Sequence, residues 1–139
     1  MAEIVRPIPE ITTELRPFFE ASKNGQLVVQ KCGNCGDLRF PPRRLCSNCL
    51  SRESSWTPVS GEGEVYSFII MHRVYHPAFA TQVPYAVATI KLKEGAKMLS
   101  NVIGIEPHAV KCGMPVKVSF EKLSDEVTLP MFRPAASPA

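Results

Sequence analysis

Four of the chain's five cysteines fall into two matched pairs, Cys32-Gly33-Asn34-Cys35 and Cys46-Ser47-Asn48-Cys49, with ten residues between them. A CxxC turn aims two thiolates at one point, and a second such turn completes a tetrahedral shell around one metal ion. Gly36, directly after the first pair, suits the tight turn this requires. A shell of four thiolates is closed to water and substrate. The pattern predicts one structural Zn2+ held by Cys32, Cys35, Cys46 and Cys49, a metal that supports a fold and is not an active site.

Other readings of the cysteines are weaker. Disulfides suit small secreted chains, but Met1–Pro9 lacks the basic start and apolar run of a signal peptide, so a cytoplasmic chain is expected. Iron would fit four sulfurs on geometry alone, although nothing else in the sequence suggests electron transfer. A redox CxxC predicts one reactive pair and not two matched ones. Cys112, just before Gly113, has no such partner and is expected to be a small buried hydrophobe.

With 139 residues, the chain is about one domain, or one domain plus a small appendage. No run of eighteen apolar residues exists, so a membrane span is not expected. The formal net charge is +3. Four thiolates around a divalent ion add two negative charges, which leaves +1 and little bulk attraction for nucleic acid. Between Lys31 and Arg52 the cations Lys31, Arg39, Arg43, Arg44 and Arg52 face only Asp37. They read either as a solvated ribbon face or as a phosphate-binding surface, with Arg43 and Arg44 held after Pro41-Pro42.

The chain reads as mainly β in three parts. Residues 1–25 form an extended arm and a short helix over Arg16–Lys23, capped by Thr12 or Thr13 and ended by Asn24-Gly25. Phe18 and Phe19 give that helix its contact face. Residues 26–57 form the ribbon, with strands over Gln26–Lys31 and Leu38–Phe40. That unit is too small to bury its own core, so metal must stabilise it. Residues 58–134 carry five strands: Glu64–His72, Tyr85–Leu92, Lys97–Ile103, an alternating Val116–Glu121 and Val127–Phe132. Pro130 in the fifth argues for an edge or a bulge. A helical turn at Glu106–Val110 follows the third strand, and the set matches a five-stranded OB-fold barrel. Trp56 is expected to pack where ribbon meets barrel. Residues 135–139 read as a disordered tail.

The loop Arg73–Val83 is long and apolar for a hairpin connection, and such loops are usually functional. A lid packed on the barrel mouth is the plainer explanation. His72, His76 and His108 are scattered without acidic partners at helical spacing, so no catalytic histidine is expected. No Ser-His-Asp order, nucleotide loop or carboxylate pair stands out.

The wording around these elements is specific. Lys31–Gly36, Phe40-Pro41-Pro42-Arg43, the second CxxC, Trp56 and Gly61–Tyr66 occur in order. His76-Pro77-Ala78-Phe79, Pro84-Tyr85, Gly113-Met114-Pro115-Val116 and Thr128–Pro134 follow. Together they resemble the DUF35 family over about residues 15–134: OB-fold proteins with an N-terminal rubredoxin-like zinc ribbon, associated with acyl-CoA metabolism. The resemblance implies a non-catalytic accessory subunit paired with a thiolase-like enzyme, in two copies of each chain, which stabilises that partner and helps hold the acyl-CoA. The catalytic cysteine and histidines would belong to the partner. Under this reading Arg43 and Arg44 take the phosphates of coenzyme A, and Tyr75, His76 and Phe79 form the opposite wall of a cleft. The alternative is a nucleic-acid-binding zinc-ribbon and OB module that uses barrel aromatics such as Tyr66, Phe68 and Tyr85. A self-sufficient enzyme lacks any plausible catalytic set.

Overall fold

A computed structural model describes residues 7–135. Helix α1 (Arg16–Lys23) buries Phe18, Phe19 and Ser22 on one face. It starts at Leu15 without a side-chain cap. Thr12 instead closes the turn before the helix: its Oγ1 and carbonyl oxygen accept from the Leu15 N–H, and the carbonyl also accepts from Arg16. Pro17 explains the difference, because it removes one of the donors a cap would serve. The helix ends at Asn24, and Gly25 follows at φ +77°.

The ribbon is a three-stranded antiparallel sheet with β1 (Leu27–Cys32) between β2 (Leu38–Arg39) and β3 (Ser54–Val59). Sequence reasoning missed β3, which pairs with β1 from Leu27↔Val59 to Cys32↔Ser54. Two serines and Pro58 hide its strand character. The edge position tolerates Pro58, whose missing N–H would break a central ladder.

The five later strands close a barrel in the order β4-β5-β6-β8-β7. They are β4 (Glu62–Met71), β5 (Tyr85–Leu92), β6 (Lys97–Val102), β7 (Pro115–Lys122) and β8 (Thr128–Pro134). The expected helical turn is a short 3-10 turn at Pro107–Ala109. Pro130 lies at neither an edge nor a bulge. It pairs with Phe120 in an unbroken β7–β8 register, and its other side faces a seam where β6 and β8 share one parallel pair, Val102↔Phe132. Ser100 Oγ donates to the Pro130 carbonyl oxygen across that gap at 2.8 Å. The final strand also reaches Pro134, and the Ala135 N–H donates to Pro115 O at 3.0 Å. Residues 136–139 of the expected tail, and residues 1–6 of the arm, lie outside the described residues.

One core spans both sheets. Phe18, Phe19, Leu27, Val28 and Val29 join the barrel's Val65, Ala88, Ile90, Leu92 and Phe132 in a single buried cluster. Helix α1 touches β1, β7 and β8, so it wedges ribbon against barrel. Phe18 lies 5.0 Å from the Phe40 ring and 6.4 Å from Trp56, which places Trp56 beneath the helix. Thus the ribbon relies on metal only at its cysteine end. Its other end shares the common core. Glu94 in the β5–β6 turn adds a latch, accepting from the Ser60 N–H at 2.8 Å. Slight burial works to raise the Glu94 pKa, but the Ser60 N–H, its own N–H, the Ser60 hydroxyl and nearby Lys93 together outweigh it and hold the carboxyl below its usual value. Among the described residues no helix is long and apolar enough to cross a membrane.

Candidate functional site

The two CxxC turns bring four sulfurs to one point. The Sγ atoms of Cys32, Cys35, Cys46 and Cys49 all lie within 4.8 Å of one another. Cys32–Cys49 and Cys35–Cys46 are separated by 3.5 and 3.6 Å. A tetrahedron with Zn–S bonds of about 2.3 Å has edges of about 3.8 Å, so the set fits a zinc ion. A disulfide would need about 2.05 Å. The turns also repeat in detail. Asn34 and Cys35 N–H groups point at Cys32 Sγ, and the Asn48 N–H points at Cys46 Sγ. Gly36 N–H donates to Cys32 O and Leu50 N–H to Cys46 O, at φ +76° and +64° respectively. Leu50 therefore holds a left-handed conformation that suits glycine, with its side chain exposed.

The N–H groups of Cys35 and Asn34 pull the Cys32 thiol down to about 6 from 9.0, against the effect of burial. Above that value Cys32 is already the thiolate that a metal needs. Proton competition at Cys32 itself is accordingly expected to weaken zinc binding only below about pH 6, which a chromophoric chelator would report as a steeper loss of zinc there.

Beside the metal site, a buried polar cluster fixes the loop after β2. Arg39 Nε donates to Gln30 Oε1 at 2.7 Å, and the same oxygen accepts the Arg43 N–H at 2.8 Å. Arg39 Nη2 donates to Arg43 O at 3.0 Å, and Gln30 Nε2 donates to Ser54 Oγ. Arg39 is only 7% exposed, and its buried Nη1 has no partner among the described residues. Sequence reasoning counted Arg39 with the surface cations. Its alternation with Leu38 on a two-residue strand was too short a signal to show burial. Above this cluster lies a depression of about 340 Å³ lined by Glu14, Gln30, Arg43, Arg44, Arg52 and Ser54. Arg44 Nε donates to Glu14 Oε1 at 2.9 Å there.

The long loop and the barrel wall form a second feature. His76 Nδ1 accepts from the Ala78 N–H and starts a 3-10 turn at Pro77–Phe79. The Phe79 ring lies 6.2 Å from both His76 and Tyr85. Tyr75 is exposed beneath Arg73, whose guanidinium carbon sits 5.0 Å from the ring centre. Phe79, Tyr85, Val87, Leu99, Asn101 and Met131 line part of a groove of about 640 Å³. On the same outer face, Ile69 pairs with Val87 and Leu99 with Thr89. Ile69, Leu99 and the bulged Tyr66 are each more than half exposed. Lys97 Nζ caps the Tyr66 ring at 4.0 Å.

Of the residues expected to form one cleft, Arg43 and Arg44 come together with Arg52 on the ribbon, whereas Phe79 lines the barrel groove. The two depressions share no lining residue. Tyr75 and His76 lie on the loop beside Phe79 and line neither depression. Two further expectations change. Cys112 is exposed in a turn, not buried. His72 and His108 are not scattered: their rings approach to 5.7 Å, though among the described residues neither forms an ion pair.

A four-cysteine ribbon welded by one helix to a filled five-strand barrel defines a zinc-ribbon and OB-fold protein. Residues 19–55 match the family described as "ChsH2, rubredoxin-like zinc ribbon domain", and residues 56–121 match "ChsH2, C-terminal OB-fold domain". The solved structure titled "Ltp2-ChsH2(DUF35) aldolase" superposes with a TM-score of 0.80 at 40% identity, covering 91% of this chain and 98% of that one. The chain belongs to the DUF35 family. It is 41% identical over 131 residues to a probable enoyl-CoA hydratase alpha subunit from Thermomonospora curvata, covering 94% of this chain and 40% of that relative. The chain thus spans well under half the length of that protein. It is also 31% identical over 114 residues to the benzoylsuccinyl-CoA thiolase subunit BbsA of Geobacter metallireducens, covering 80% of this chain and 75% of the relative.

Proposed function

We propose that this chain is a non-catalytic accessory subunit of a thiolase-like enzyme acting on acyl-CoA thioesters, by thiolysis, condensation or retro-aldol cleavage. It stabilises the catalytic subunit and helps hold the CoA substrate, with two copies of each chain in the complex and in the reducing cytoplasm that keeps four thiolates available. The observation that carries this reading is the apolar outer wall of the barrel. Tyr66, Ile69 and Leu99 stay exposed and run into the groove under Phe79, although the barrel interior is filled by Ile90, Leu92 and Phe132. A filled barrel encloses no substrate, and exposed apolar surface of this kind marks a protein interface. The BbsA relative, named a thiolase subunit, agrees with that partner class, and the Thermomonospora curvata relative, named a hydratase subunit, agrees with the coarser class of acyl-CoA enzymes.

The labour divides along the chain. The ribbon, residues 26–57, presents Arg43 and Arg44 to the phosphates of coenzyme A, since planar guanidinium forks pair well with phosphate oxygens. The barrel, residues 58–134, docks the partner through its outer wall, and the loop carrying Tyr75, His76 and Phe79 flanks the pantetheine arm. The partner supplies the reacting groups.

Ile69→Glu combined with Leu99→Glu tests the docking wall. Both side chains are exposed, so the fold should persist. Affinity for a co-expressed thiolase-like protein should fall more than tenfold, read by size-exclusion chromatography and calorimetry. Unchanged co-elution would remove this face from the interface. Tight, salt-sensitive uptake of a single-stranded oligonucleotide, with no thiolase-like partner captured, would replace the reading with a nucleic-acid module.

A further inference from the structure

The arginine depression holds an anion already, and it comes from the chain itself. Three guanidinium groups, Arg43, Arg44 and Arg52, line it against a single carboxylate, Glu14. A fourth, Arg39, is buried in the cluster that fixes the Arg43 backbone, and no acidic group pairs with it among the described residues. Burying a guanidinium without a carboxylate is unfavourable unless its donors are met, and here two are met by Gln30 and Arg43 while Nη1 is not. At the depression itself, the three lining arginines thus outnumber the one carboxylate that lines it.

Among the described residues Glu14 reaches this region by one polar side-chain contact, Oε1 to Arg44 Nε at 2.9 Å, with the two side chains 61% and 88% exposed. Exposed pairs of this kind are weak and exchange readily. Its placement is nevertheless defined. The turn from Thr12 to Arg16 presents Glu14, and the neighbouring Leu15 packs against the core. A carboxylate held at the rim of an arginine cluster stands where a phosphate oxygen would bind, because both groups offer paired anionic oxygens to the planar fork of a guanidinium.

We infer that the Arg43–Arg44–Arg52 depression is a phosphate subsite and that Glu14 is its resident internal anion, displaced when a pyrophosphate group enters. The bearer of that group as coenzyme A rests on the function proposed above, whereas the exchange itself does not. Ser54 and Gln30 form the polar floor, and Arg39 acts as a positioning residue through Gln30 and the Arg43 backbone. Displacement frees Arg44 to engage the phosphate.

The test uses the zinc-loaded full chain with inorganic pyrophosphate and with coenzyme A as probes, by calorimetry. Glu14→Gln should bind both about two- to fivefold more tightly than the wild type, the span expected for loss of one exposed competing pair. Arg44→Ala and Arg52→Ala should each bind about tenfold more weakly. Zinc content and far-ultraviolet circular dichroism verify that each variant is folded, and the exposed positions make this the expected result. Equal affinities for wild type and Glu14→Gln, with Arg44→Ala weakened, would overturn the role of Glu14. Absence of saturable pyrophosphate binding in every form would overturn the subsite. Neither result touches the co-elution experiment, so this inference and the subunit reading fail separately.

Discussion

Removing the metal is expected to melt the ribbon between Cys32 and Glu53 and leave the barrel standing. Structural zinc contributes about 10–16 kcal/mol in isolated finger peptides, as large as the net stability of a whole domain. Within this stretch the Gln30–Arg39–Arg43 hydrogen bonds and the Phe40–Phe18 ring contact are small beside that contribution. Cys35 is exposed, β2 is two residues long, and the closing bonds Gly33 N–H to Glu53 O and Cys46 N–H to Ser51 O depend on the knuckles keeping their shape. Four thiolates brought together without a cation would also repel one another. The opposite end differs, because Leu27, Val28 and Val29 are buried with Phe18, Phe19 and the barrel. Chelation should therefore abolish amide protection from Cys32 to Glu53 while β4–β8 remain protected in hydrogen exchange. Trp56 fluorescence should shift, since its strand spans the boundary. Cys46→Ser should reproduce the same pattern without chelator, because Cys46 is fully buried and supplies one of four ligands. Loss of protection across the whole chain would show instead that ribbon and barrel unfold as one unit.

The contrast between those two ends marks where the sequence could be read. Cysteine spacing picked out the four sulfurs that converge on one point because a metal shell is a local pattern of a few side chains. Alternation at Val116–Glu121 announced a barrel strand for the same reason: its apolar positions repeat every second residue. Elements whose character depends on distant neighbours were less legible. β3 is a strand because β1 offers it a ladder, not because Ser54, Ser55 and Pro58 favour one. Pro130 sits in the interior of the strand order because the β6–β8 seam is gapped there, a feature of closure that no local window contains. Arg39 became buried because Gln30, nine residues earlier, returned to meet it. The candidate site divides similarly. Arg43 and Arg44 could be singled out from their place after Pro41-Pro42, but Glu14 and Arg52 join them only through the fold.

The seam also sets the largest single side-chain effect expected in the barrel. Phe132→Ala should lower stability by about 3–5 kcal/mol, the usual range for removing a fully buried aromatic ring. Phe132 has no exposed surface and belongs to the cluster shared by barrel, helix and ribbon. It also occupies the single parallel rung that joins β6 to β8, where the Ile103 N–H donates to its carbonyl oxygen at 2.8 Å. Those backbone bonds survive the substitution, so the loss is one of packing. The neighbouring seam contact, Ser100 Oγ to Pro130 O, closes the gap through a side chain and so restricts how far the strands can move to fill the void. For a chain of this size the change corresponds to a fall in Tm of about 10–20 °C. Leu99→Ala on the outer wall is the control: its side chain is 67% exposed, and its effect should stay within about 0.5 kcal/mol. Urea denaturation of both variants would measure the difference. A loss at Phe132 below about 1 kcal/mol would mean that the seam collapses onto the cavity, which would make this joint the soft point of the barrel.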